Sequence, residues 1–443
     1  MPNGSISVSG RIEGDDVPLA EVATADISGQ VTLAITQTSS GPIDLNLIDI
    51  ILTEYIPLVY DYFTFEVNYD GKTVTLTDYN KNLSDSTDVV IPSTVSQNSS
   101  GEWIEGNTYT VTAIASASST SNGVFYDSGI TSVTFPSSLT SIGDYAFEDC
   151  SGLTSISLPS SLTSIGNSAF SGCSGLTGEL NLGGCTSLTS IGDYAFYYCE
   201  GLTSITLPSS LTSIGDYAFY GCDGLTGELN LGECTSLTSI GSYAFFRCSG
   251  LTGELDLSNC TSLTSIGDSA FYGCDGLTGE LNLGGCTSLT SIGDSAFRYC
   301  TGLTSADLSG CTGLTSIGDR AFDDCSGLTG TVTIPASVTE IGINPFTDCS
   351  NLEGIVVEEV NSEYYIAGNC LIENSTKTLI TGFNNSTIPS DIKIIGDYAF
   401  YLCSGLTSIT LPSSLTSIGR FAFDACRGLT GELNLGECTS LTS

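Results

Sequence analysis

Leu202–Gly224 reads LTSITLPSSLTSIGDYAFYGCDG, and this string recurs with few changes along most of the chain. Equivalent leucines set the period. Leu153, Leu176, Leu202 and Leu225 follow one another at 23, 26 and 23 residues, and Leu251, Leu277 and Leu303 continue at 26. Self-similarity at such a period marks stacked repeats. Within the quoted unit the apolar positions are Leu202, Ile205, Leu207, Leu211, Ile214, Ala218 and Phe219. Ile205–Leu207 alternates like a short half-buried strand, and Leu211–Ile214 reads as a second extended stretch. Gly215 ends it, and Asp216 is placed to cap a single helical turn over DYAF. Its equivalents Asp144, Asn167, Asp193, Ser242, Asp268, Asp294, Asp319 and Asp397 are all capping types. One unit has too few apolar side chains to offset the entropy of ordering its own backbone. Units must therefore stack into a one-dimensional array.

Two unit types share this frame. The short one carries LPSS after its first strand, as at Pro159, Pro208 and Pro412. The long one carries GELNLGGCTS or a close variant there, with a second cysteine, as at Cys185, Cys234, Cys260 and Cys286. Both rejoin at LTSIG, so the length difference sits in one connection on one side of the stack.

Composition closes off several functions. The 443 residues include 10 Lys and Arg against 49 Asp and Glu, with no His, for a net charge of −39. Binding nucleic acid through its phosphates needs clustered cations, which are missing. Without histidine there is no Ser-His-Asp triad and no imidazole-bound zinc. Almost every carboxylate is a repeat-position residue with many copies, whereas catalytic groups are unique and held in perturbed environments. The chain reads as a non-enzyme with no cofactor.

Four ladders remain to be weighed. The repeat phenylalanines Phe147, Phe170, Phe196, Phe219, Phe245, Phe271, Phe297, Phe322, Phe346, Phe400 and Phe423 read as a structural column. So do the cysteines that close F-x-x-C, among them Cys150, Cys173, Cys199, Cys222, Cys248, Cys274, Cys300 and Cys325. Buried thiols are the leading reading for these, with disulfides and metal as the alternatives. Glu228, Glu254 and Glu280 should stack roughly 5 Å apart, as a weak candidate cation ladder or as a solvated edge that blocks association. Tyr194, Tyr217 and Tyr243 form an intermittent stripe that either recognises a partner or covers the turn layer.

The pattern L-x-x-I-x-L-P-x-x-L-x-x-I-G-x-x-A-F-x-x-C resembles the BspA-type leucine-rich repeat of bacterial and protist surface proteins, from Phe65 to the end. The resemblance implies a right-handed β-solenoid with short parallel strands and one helical turn per coil, of about 13 coils and about 60 Å in length. It further implies an extracellular or cell-surface adhesin kind of protein. Its expected partners are extracellular or host proteins, with glycans as a further class, and neither nucleic acid nor direct membrane insertion. A passive spacer is the other function. The expected division is a non-repeat, β-rich region at 1–64, diverged opening coils or a cap at 65–130, and regular repeats at 131–353. A variant coil with a hairpin (Cys370–Ile372 against Thr378–Ile380) follows at 354–390, and repeats resume at 391–443. Ser5–Ser9 and Gln30–Thr36 alternate like strands, and Ile43–Tyr62 is apolar-rich but interrupted by Asp49, Glu54 and Pro57, against a membrane span. No signal peptide is visible at the start, and the stop at GECTSLTS, midway through a unit, reads as a fragment of a longer protein.

Overall fold

Each copy of the Ser-Ile pair in LTSIG lies beside the same pair in the next coil. Ser141–Ile142, Ser164–Ile165, Ser190–Ile191, Ser213–Ile214, Ser239–Ile240, Ser265–Ile266, Ser291–Ile292 and Ser316–Ile317 pair in parallel, isoleucine against isoleucine, and Glu340–Ile341 ends the run. This computed structural model describes residues 62–82, 87–97, 103–117, 122–430 and 435–442, together with the strands Val8–Ser9, Ala23–Ala25, Val31–Leu33 and Asp49–Ile50. The chain divides into two units, 1–61 and 62–443. In the first, Val8–Ser9 pairs antiparallel with Asp49–Ile50, and Ala23–Ala25 with Val31–Leu33. The rest of the reading of residues 1–61 lies outside the described residues.

The second unit is a parallel β-solenoid of about 12 turns. A second set of short parallel strands comes from the other connection, for example Leu251–Asp256 between Gly227–Glu228 and Leu277–Asn282. Between the two lies a core of columns. Phe147 through Phe346 stack face to face at 5.1–5.4 Å, each at most 2% exposed. The opening coils close this column. Phe125 stacks on Phe147 at 4.6 Å and is itself covered by Tyr79 at 5.0 Å and Phe63 at 6.4 Å.

The D-x-A-F-x-x-C segment is not a helical turn, contrary to the expectation from sequence. Two residues in each coil are left-handed: the one after Asp, as at Tyr145, Tyr194 and Tyr217 (φ 60°, 57°, 57°), and the one before Cys, as at Asp149 and Tyr198 (φ 58°, 53°). A left-handed residue cannot continue a right-handed helix. The segment is instead a run of overlapping tight turns whose amides alternate in direction. Ala146, Glu148 and Cys150 donate within the coil to Gly143, Tyr145 and Phe147. Tyr145, Phe147 and Asp149 donate outward to Asn167, Ala169 and Ser171 of the next coil at 2.7–2.8 Å. Every amide of the turn is thereby satisfied, as buried backbone requires.

The aspartates are likewise not caps of their own coil. Asp144 Oδ1 accepts the Asn167 amide of the following coil at 2.7 Å, Asp193 accepts from Asp216 at 2.8 Å, and Asp294 accepts from Asp319 at 2.7 Å. The carboxylate accepts an amide as a helix cap would, but the amide belongs to a residue 23–26 positions away. Asn167 does the same work, accepting from Asp193 at 2.8 Å.

Among the described residues the Ser-Ile run is interrupted once. After Leu352–Val357 the chain makes Tyr364–Ala367, Cys370–Glu373 and Thr378–Gly382, paired antiparallel, before Ile394–Ile395 and Ser417–Ile418 resume parallel pairing. Tyr364 Oη takes the amide of Ile341, where the Ser-Ile ladder stops, at 2.9 Å. Asn344, 2% exposed, donates to the Tyr398 carbonyl and accepts from Thr381 Oγ1 at 2.7 Å, joining the coils on either side.

Candidate functional site

The thiols form two internal ladders. The cysteine of F-x-x-C donates to the phenylalanine carbonyl one coil back: Cys173 to Phe147 at 3.1 Å, Cys274 to Phe245 at 3.1 Å and Cys325 to Phe297 at 3.0 Å. The second set does the same in the long connection, as Cys286 to Leu257 at 3.2 Å. All 18 cysteines are free, and all but Cys403 are buried. Burial pushes the thiol of Cys234 up to about 11 and those of Cys260 and Cys403 up to about 12. A thiolate is the nucleophile, so these thiols are chemically quiet.

The hydroxyls of the LTS position serve the fold in the same way. Thr163, Thr212, Thr238, Thr264 and Thr290 each donate Oγ1 to the equivalent threonine carbonyl one coil back at 2.8 Å. Their donor capacity is spent within the stack.

The glutamates Glu228, Glu254 and Glu280 do not lie opposite one another in the strand register. In the strand register Glu228 opposes Thr252, Glu280 opposes Ser305, and Glu254 sits at a register shift. The Glu228 side chain lies over Gly253 of the next coil. Among the described residues, no three His, Cys, Asp or Glu side chains group to hold a metal ion.

The tyrosines do converge. Tyr194, Tyr217 and Tyr243 stack face to face at 4.7 Å, with planes within 8°. A second column, Tyr197, Tyr220, Phe246 and Tyr272, runs beside it at 5.2, 4.8 and 4.7 Å. The columns touch, Tyr194 edge-on to Tyr197 at 5.3 Å and Tyr243 tilted against Phe246 at 5.5 Å. Tyr194 and Tyr198 are 38% and 43% exposed, and the rest of the stripe is half-buried. Burial and the neighbouring Tyr198 hydroxyl push the Tyr197 phenol up to about 12.

Sequence reading missed the cations of this edge. Between Lys81 and Lys377 the only Lys or Arg residues are Arg247, Arg298 and Arg320, and all three fall on the D-x-A-F-x-x-C turns. Arg247 lies 5.4 Å from the centre of the Phe246 ring, Arg298 4.7 Å from that of Tyr299, and Arg320 4.4 Å from that of Tyr398. Arg298 also pairs with buried Asp323 at 2.8 Å. Burial nevertheless raises Asp323 to about 6, against the lowering pull of Arg298 and Arg320. That every cation of a long acidic stretch sits on one edge was the signal available in the sequence.

The family model described as BspA type leucine rich repeat region matches at 118–252, 178–284, 227–353, 264–382 and 377–440. Among curated proteins none matches. Solved structures similar to the chain include a leucine-rich repeat protein from Bacteroides ovatus, 26% identical, over 83% of this chain and 92% of that one, with TM-score 0.47. A leucine rich cell surface protein from Faecalibacterium prausnitzii is 25% identical, over 86% and 79%, with TM-score 0.36. With the family model spanning 118 to 440 on top of the coil geometry, the chain belongs to the BspA-type leucine-rich repeat family.

Proposed function

We propose that this chain is a non-enzymatic, cell-surface or secreted adhesion module, and that the stacked aromatic edge around Tyr194, Tyr217 and Tyr243 is its contact surface for an extracellular protein. The observation that carries the reading is that these tyrosines are not required by the fold. Equivalent coils place Ser168, Ser269 and Ser295 at the same left-handed position, with φ of 52–55°. A tyrosine held there has a conformational cost that serine shares, so the ring is an addition to the coil rather than a condition of it. Tyr and Arg together, on an edge otherwise crowded with carboxylates, match the composition of protein-binding surfaces.

The stacking geometry favours a protein over a glycan. Rings packed face to face offer a partner their edges, whereas a sugar ring docks on an open aromatic face.

The test is the triple variant Tyr194→Ser, Tyr217→Ser and Tyr243→Ser, which gives three coils the residue that others already use. It is expected to remain folded and to lose saturable binding to extracellular-matrix proteins in a surface-resonance panel. Binding unchanged in the variant contradicts the role of the stripe. Absence of binding in the parent chain favours the spacer reading, for which the near-identity of the coils speaks.

A further inference from the structure

The single interruption of the coil array builds a site that the regular coils lack. Where the Ser-Ile ladder stops at Ile341 and resumes beyond the hairpin, a cavity of about 310 Å³ opens. Its lining includes Ile343, Ile380 and Tyr364, and three carboxylates, Asp319, Glu373 and Asp397, with no basic side chain among the lining residues. The sequence departs from the repeat at this wall. The regular IGDYAF becomes IGINPF, so Ile343 takes the place of the ladder aspartate and Asn344 that of tyrosine. Ile343 is 41% exposed, an unusual setting for a large aliphatic side chain facing a cavity.

Glu373 accepts from the hydroxyls of Ser375 and Thr376 on its two oxygens, and each carboxylate oxygen has a second lone pair left. Asp319 and Asp397 each use Oδ1 for a backbone amide, of Ile343 at 2.6 Å and of Arg420 at 2.7 Å. None of the three forms an ion pair with Lys or Arg among the described residues. Apolar walls of this volume with a few convergent polar groups are the usual form of a small-ligand or side-chain pocket. An aliphatic stem along Ile343 and Ile380, with a charged head among the carboxylates, is the complementary shape.

We propose that this cavity receives an alkylammonium or alkylguanidinium group, either a Lys or Arg side chain of a protein partner or a free aliphatic amine. The site is distinct from the aromatic stripe and goes beyond the function proposed for it.

The experiment titrates the full chain at low ionic strength with Nα-acetyl-lysine methylamide, and in parallel with Nα-acetyl-norleucine methylamide, which lacks the ammonium. Calorimetry and the methyl NMR signals of Ile343 and Ile380 are the readouts. Saturable binding of the lysine probe alone, with both isoleucine signals shifted, supports the site. Glu373→Gln and Asp397→Asn should each weaken it by about fivefold, the upper range for one partly exposed charge. Asp397→Asn keeps the amide acceptor, as Asn167 shows, so the coil remains intact. Asp193→Asn removes the same charge far along the ladder and should leave binding unchanged. Equal binding of the norleucine probe, or equal weakening by Asp193→Asn, overturns the proposal, as does the lack of saturation. A pentylamine arm identifies the source: binding as tight as that of the lysine probe points to a free amine, and weaker binding to a protein side chain. The tyrosine triple variant should retain lysine binding, so the failure of either reading is seen separately.

Discussion

The glycine after Ser-Ile shows how closely the coils approach. At Gly215 an added Cβ would sit 2.5 Å from the Asp193 amide nitrogen and the Gly192 carbonyl carbon, both backbone atoms that cannot step aside. Gly215→Ala should therefore cost on the order of 1–3 kcal/mol by overpacking, read as a lowered midpoint in urea. Asp216 is predicted to behave differently. Its Oδ1 accepts the Ser242 amide at 2.6 Å, a role that an asparagine oxygen also fills at Asn167. Asp216→Asn should leave the midpoint nearly unchanged, while Asp216→Ala should lose about 1 kcal/mol. The thiols make a third prediction at this scale. With 17 of them buried, a disulfide reagent at pH 8 should label the native chain slowly, starting at the half-buried Cys403, and label all 18 rapidly once it is unfolded.

At the scale of the coil, the strands, the phenylalanine column and the cysteine ladder were legible because each recurs at the period with its apolar spacing intact. The turn was not. Its first left-handed position holds Tyr, Ser, Arg, Asn or Phe, none of which announces a positive φ as glycine does. The second position holds Gly172, Gly221 and Gly273 among its copies, and that was the sign to read. The aspartate was assigned a local partner because capping is a local rule, and no local rule points to an amide one coil away. The clamp at Asn344 and the cavity at Ile343 depend on which coils the hairpin separates, so they became visible only in three dimensions. Within this element Asp323 gives a pH prediction. Its folded pKa of about 6 lies above the ordinary carboxylate value of 3.8, so protonation favours the folded state. Stability should rise as pH falls from 7 through 6 towards 4 and should be lost again on raising the pH. Asp323→Asn should flatten that part of the melting profile.

At the scale of the molecule, stability is a sum of contacts between neighbouring coils rather than the property of one core. A net charge of −39 adds self-repulsion along the whole stack. Added salt should thus raise the melting temperature, because it screens this repulsion and the described residues hold few ion pairs for it to weaken. The same architecture explains why function was read less fully than fold. The repeats specify a scaffold many times over. Recognition is proposed to lie in the features that vary from coil to coil, the tyrosine edge and the interrupted coil.

The most direct test is deletion in register. Removing residues 251–276 takes out one 26-residue coil and rejoins Gly250 to Leu277, the same Gly-Leu junction that Gly276 makes. Removing residues 251–263 instead takes out half a coil and puts every later column out of line. Compared by circular dichroism and thermal melting, the first variant should keep the parent's β spectrum and a cooperative transition, and the second should lose both. A whole-coil deletion that unfolds the chain as thoroughly as the half-coil deletion would contradict the account.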